Sequence, residues 1–202
     1  MTEKAVYFWI TIALCIFVAI LFFASRRKFV VEKGVTVYYQ ATCAAVFTWL
    51  FFTLFLYTDM PIEIAYELAM WRYLGIAFMP VMMTLHIWQQ LSHSPLSQKH
   101  VALCCIPPAF SFLLAVTNRY TSFFIKGYSL VDPVTGLGIY FDNNWGFYLH
   151  CVISYVAVLI SVILILRILT VAELNSPPST LAKLMVLISA SAPNIPSISS
   201  IV

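Results

Sequence analysis

Charge is what this chain lacks. Only 9% of its 202 residues are charged while 62% are hydrophobic, a balance that cannot cover a water-exposed surface at this length but suits an exterior in lipid. Catalytic patterns are missing as well: there is no His-Glu-x-x-His, no Gly-x-Ser-x-Gly, no phosphate-cradling Gly-rich loop and no close pair of carboxylates within an apolar run. The expectation is a chain that is not itself an enzyme and carries no cofactor. Cysteine is present only as Cys15, Cys43, Cys104, Cys105 and Cys151, all within apolar runs and none in Cys-x-x-Cys spacing. Such residues read as small packing groups and not as a metal or redox centre. Asn-x-Ser/Thr acceptors are absent too, which speaks against a eukaryotic surface glycoprotein. No segment reads as a soluble domain, and no nucleic-acid partner is expected.

What is there is a series of long apolar runs. A bilayer core of about 30 Å needs roughly 20 helical residues to cross it. Runs that meet this need lie at about 5–24, 35–57, 66–91, 101–116 and 147–169, with a sixth at about 184–202. These predict an all-α polytopic transmembrane bundle that forms one domain over residues 1–202, with five complete spans and a sixth. The few charges sit in the gaps, and their sign alternates. The first gap holds Arg26, Arg27, Lys28 and Lys33 against Glu32; the second holds Asp59, Glu63 and Glu67. Because short cytoplasmic loops are enriched in Lys and Arg, the amino terminus is expected outside. On that topology seven basic and two acidic residues lie inside, against four basic and six acidic outside. The first run ends in Ser25-Arg26-Arg27-Lys28, a stop-transfer pattern and not a cleavable signal.

Only the connector 117–146 is long enough to have its own structure. Phe123-Phe124-Ile125 and Ile139-Tyr140-Phe141 flank Asp132-Pro133-Val134-Thr135-Gly136, two aromatic or β-branched runs around a turn signal. A small extracellular β-hairpin is expected, either as a lid over the outer mouth of the bundle or as a solvated loop. The third run carries Glu67, Trp71, Arg72 and Tyr73 near its start, then Pro80, His86 and Trp88. Arg72 lies one to two turns into the run, where it can snorkel or pair with Glu67 or Glu63; facing inward, it would anchor an anionic ligand group. His86 and His150 fall at opposite ends of the bundle on this topology, which rules out a shared metal site. The prolines Pro80, Pro107, Pro108, Pro193 and Pro196 mark possible bends.

Four stretches carry a resemblance: Trp71-Arg72-Tyr73-Leu74-Gly75-Ile76 followed by Pro80, Ile106-Pro107 leading to Thr117-Asn118, Gly146-Phe147-Tyr148 running to Tyr155, and Pro193-Asn194. In order and spacing the chain resembles the seven-transmembrane N-terminal sensor region of bacterial histidine kinases, truncated in the sixth helix. The family's Thr-Asn is often followed within a few residues by a histidine, where this chain has Arg119, Tyr120 and Thr121. The resemblance implies a receptor in a bacterial cytoplasmic membrane that binds an extracellular or membrane-borne small ligand and relays it to a cytoplasmic signalling domain. Homodimerisation would follow from membership of a histidine kinase. Trp71, Arg72, Asn118, Tyr148 and His150 are the expected ligand-binding residues. Two other classes stay open: a small transporter, for which Gln40, Thr48, Ser111, Ser154 and Ser161 supply polar groups, and a structural subunit of a membrane complex.

Overall fold

In the computed structural model, residues 3–28, 33–58, 60–92, 95–129 and 140–175 are described. Seven helices and one two-stranded sheet form from them: α1 Glu3–Lys28, α2 Lys33–Leu54, α3 Ile62–Trp71, α4 Tyr73–Leu91, α5 Gln98–Val116, α6 Asn118–Thr121, β1 Ile125–Ser129, β2 Tyr140–Asn143 and α7 Trp145–Asn175. A 3-10 turn, Phe55–Tyr57, extends α2. The expected all-α bundle is therefore present. Five helical stretches are long and apolar enough to cross a membrane: Lys4–Ser25, Val37–Tyr57, Ile62–Leu91, Gln98–Val116 and Trp145–Arg167. The protein is a multi-pass membrane protein. Lipid offers no partner for backbone N–H and C=O groups, so apolar runs of this length close their hydrogen bonds within a helix. The sixth run, with Pro193 and Pro196, lies outside the described residues.

The third span is the central one. Of its most apolar stretch 44% is buried, against 6–17% for the other four, because α4 packs on both α2 and α5 while α1 packs on α2. Gly75 makes the α2–α4 approach possible, since a Cβ there would fall 2.5 Å from the Trp49 nitrogen and against the Ala45 carbonyl. Small residues permit such contacts between membrane helices, where no hydrophobic force between helices exists. Arg72 divides α3 from α4 yet keeps right-handed helical dihedrals, φ −58° and ψ −24°. The expected bends at Pro80, Pro107 and Pro108 do not end their helices, as all three sit inside α4 or α5.

Two cores follow from this packing. One lies at the hairpin end, where Tyr66, Met70 and Tyr73 meet Leu114, Ala115, Phe124 and Ile125. The other joins α4 to α7 through Val81, Leu85 and Ala157. Beside the second core, the Thr84 Oγ1 lies 2.8 Å from the Ser161 hydroxyl and 3.0 Å from the Ala157 carbonyl.

The expected hairpin is there: β1 and β2 pair antiparallel, with Tyr128 opposite Phe141 and Ser129 opposite Tyr140. Register shifts between Ile125 and Gly127, so Lys126 is the extra residue of a bulge. The first strand starts at Ile125 and not at Phe123, because Phe124 turns inward to complete burial. Ser122, at φ 52°, makes the left-handed turn from α6 into the strand. The Asp132–Gly136 turn signal lies outside the described residues. Met1–Leu164 makes one compact unit and Ile165–Val202 a second, the latter described over 165–175 as the last turns of α7.

Candidate functional site at the hairpin end

Asn118 organises this end of the bundle. It begins α6 directly after α5, is 4% exposed, and uses its whole amide. Its Nδ2 donates to the Tyr66 hydroxyl at 2.7 Å and the Ile125 carbonyl at 2.9 Å, while its Oδ1 accepts from the N–H groups of Phe124 at 2.6 Å and Ile125 at 2.9 Å. One side chain thus pins the root of the hairpin to α3. Tyr66 in turn stacks on Tyr128 of β1, ring centres 4.4 Å apart, and lies 6.5 Å from Phe141 of β2. With its amide donors and acceptor engaged within the protein, Asn118 positions the root of the hairpin.

Arg72 sits under the same hairpin. Its guanidinium carbon lies 5.5 Å from the ring centres of both Tyr73 and Phe141, within cation–π range. The residue is half-buried, and its Nε is fully buried with no hydrogen-bond partner among the described residues. The pairing with Glu67 expected from the sequence is not formed. Glu67 Oε1 instead accepts from Arg119 Nη1 at 3.0 Å, across 52 positions of sequence. Arg72 is therefore a cation held by aromatic faces, with a donor left over.

Among the described residues, Trp71 and Asn118 line one groove, and Arg72, Tyr148 and His150 are not part of its lining. Trp71 is 45% exposed and rests on Phe112, 5.7 Å between ring centres. Tyr148 is 61% exposed. His150 is buried; its Nδ1 is 2.8 Å from the Ser111 hydroxyl, and the rings of Tyr73 and Phe124 lie edge-on or tilted at 5.3 and 6.0 Å. That makes it a packed, hydrogen-bonded group behind Tyr73. Trp71 and Asn118 do line a common groove of about 520 Å³ between α3, α6 and β1, together with Glu63, Glu67, Arg119 and Lys126. Sequence reasoning missed these four as a set. Their only local signal was Glu63 and Glu67 four apart, which places both on one helix face.

The polar groups considered for transport are mostly engaged locally. Thr48 Oγ1 donates to the Ala44 carbonyl, Ser161 to that of Ala157, and Gln40 Nε2 to the Ser25 hydroxyl. Ser111 belongs to the His150 pair. Ser154 Oγ alone of the five is buried with no partner among the described residues.

Compared with known proteins, residues 7–202 match the family described as the N-terminal 7TM region of histidine kinase. No curated protein and no solved structure matches the chain.

Proposed function

The chain belongs to the N-terminal 7TM region family of histidine kinases, and from that premise we propose that it is a ligand-sensing module whose hairpin end faces the outside of a bacterial cytoplasmic membrane. A small ligand enters beneath the hairpin and meets Arg72. Binding favours one arrangement of the helices over another, by as much as the ligand's affinity differs between them, and the helices pass that bias to a kinase domain in a homodimeric parent protein.

The observation that carries this reading is Arg72 itself. A buried donor left without a partner costs about 1–3 kcal/mol, and more when charged. Movement of the hairpin would uncover Nε, and a carboxylate, phosphate or carbonyl oxygen on a ligand would then satisfy it and recover that energy, while Tyr73 holds the guanidinium plane. The hairpin supplies Phe141 from β2, so occupancy at Arg72 bears directly on how the hairpin seats against α3 and α4.

The test is Arg72→Ala in the full-length parent kinase, with phosphorylation followed as the inducing stimulus is raised. Loss of a charged hydrogen bond is expected to raise the half-maximal stimulus about 10- to 100-fold, at unchanged membrane abundance. An unaltered dose response would remove Arg72 from the site.

A further inference from the structure

We infer that the groove between α3 and β1 is a second site, distinct from Arg72, that binds a zwitterionic head group carrying an ammonium and a phosphate. Its depth relative to the membrane comes from α5. That helix has 19 residues, about 28 Å at 1.5 Å per residue, which just matches the hydrocarbon core. Val116 therefore marks one boundary. Asn118 and Arg119, just beyond it, bond to Tyr66 and Glu67, so those two α3 residues stand level with the boundary. Glu63 lies one turn further out, about 6 Å, and Trp71 one turn further in, against Phe112. The groove spans the head-group zone.

Its chemistry fits that position. The inner part of the α3 wall is apolar, with Leu68 and Trp71, and Ile64 is 52% exposed beside them. Above these lie two acids and two bases. Glu67 and Arg119 already neutralise each other across the groove at 3.0 Å. Glu63 on the helix wall and Lys126 on the strand wall are both exposed, and neither has an ion-pair or hydrogen-bond partner among the described residues. The bulge is what makes Lys126 the unpaired residue of β1. An anionic solute would meet Lys126 but also two carboxylates; a cationic one meets the converse. A solute with separated charges satisfies Glu63 with its ammonium and Lys126 with its phosphate. At about 520 Å³ the groove is in the ordinary size range for a small-molecule site. The head group could belong to a membrane lipid or to a free phosphoethanolamine-type solute.

Native mass spectrometry of the full chain in detergent, titrated in parallel with phosphatidylethanolamine and phosphatidylglycerol, tests the proposal. Phosphatidylethanolamine is expected to bind about fivefold more tightly, the worth of one partly exposed ion pair. Glu63→Gln should bring the ratio close to one and Lys126→Gln should weaken both lipids with the ratio kept, whereas Lys99→Gln, at the other end of α5, should leave both affinities intact. Thermal unfolding of each variant checks the fold. Displacement of the lipid by water-soluble glycerophosphoethanolamine would identify a free solute as sufficient; retention of the lipid would assign the site to the membrane lipid. Equal binding of the two lipids, selectivity that survives Glu63→Gln, or affinity for both lipids that survives Lys126→Gln overturns the inference. Because the readout is lipid occupancy and not kinase output, its failure leaves the sensing role of Arg72 untouched.

Discussion

At the scale of single residues, the hairpin end depends on how many buried polar atoms one side chain can satisfy. Asn118 meets four groups on three residues, Phe124 at 6 positions, Ile125 at 7 and Tyr66 at 52. Replacing it with Ala strands the N–H groups of Phe124 and Ile125 in a buried place, each costing about 1–3 kcal/mol. Asn118→Ala is therefore expected to destabilise the hairpin by about 3 kcal/mol. Hydrogen exchange reads this locally: the Phe124 and Ile125 amides should lose protection while those in the middle of α4 keep theirs. Equal protection in both proteins would mean that Asn118 does not hold the hairpin. None of these bonds is legible in the sequence, where Asn118 stands out only as part of Thr117-Asn118. Its neighbours in space are set by the return of β1 onto α3, which no local pattern encodes. Arg72 was legible as an unusual charge in an apolar run; its aromatic partners were legible only in part, since Tyr73 adjoins it and Phe141 does not.

Elements were more readable than sites, for a physical reason: lipid leaves helix as almost the only option for an apolar run, so composition alone located five spans. The hairpin was also visible, because aromatic and β-branched runs around a turn signal have few other solutions. Less visible was which helices touch. Prolines mark possible bends within α4 and α5, both of which continue through them, and the residue that sets α4 against α2 is Gly75. Ala at this position would push its Cβ into the Trp49 nitrogen and the Ala45 carbonyl of α2. Those are backbone atoms, which cannot rotate away. Gly75→Ala is expected to cost about 1–3 kcal/mol as the helices part. Gly127→Ala provides the contrast, since nothing lies within 4 Å of a Cβ there, and its effect should stay within about 0.5 kcal/mol. Thermal unfolding in detergent of the two variants beside the parent protein measures both, and similar melting points for the pair would refute a close α2–α4 contact at Gly75.

For the molecule as a whole, the quantity to be tested is direction across the membrane, for which charge gives the prediction. Lys and Arg outside the spans concentrate between the first two, Lys4–Ser25 and Val37–Tyr57, with Arg26, Arg27, Lys28 and Lys33, whereas the stretch after the second is acidic, with Asp59 and then Glu63 and Glu67 in α3. The hairpin end groups with the acidic side: α3 starts there, and the Glu67–Arg119 pair and the Asn118 network tie the hairpin to it. The positive-inside tendency then predicts the hairpin outside and the start of α5 inside. Lys99 and Asp142 are exposed reporters of the two ends. The five native cysteines are buried or half-buried within the spans and give little background. A membrane-impermeant maleimide should label Asp142→Cys in intact cells and Lys99→Cys only once the membrane is opened. The reverse pattern would put the groove and Arg72 on the cytoplasmic face and rule out an external ligand. The expected pattern would place both under the one surface that an outside signal can reach, with the kinase side reached only through the helices.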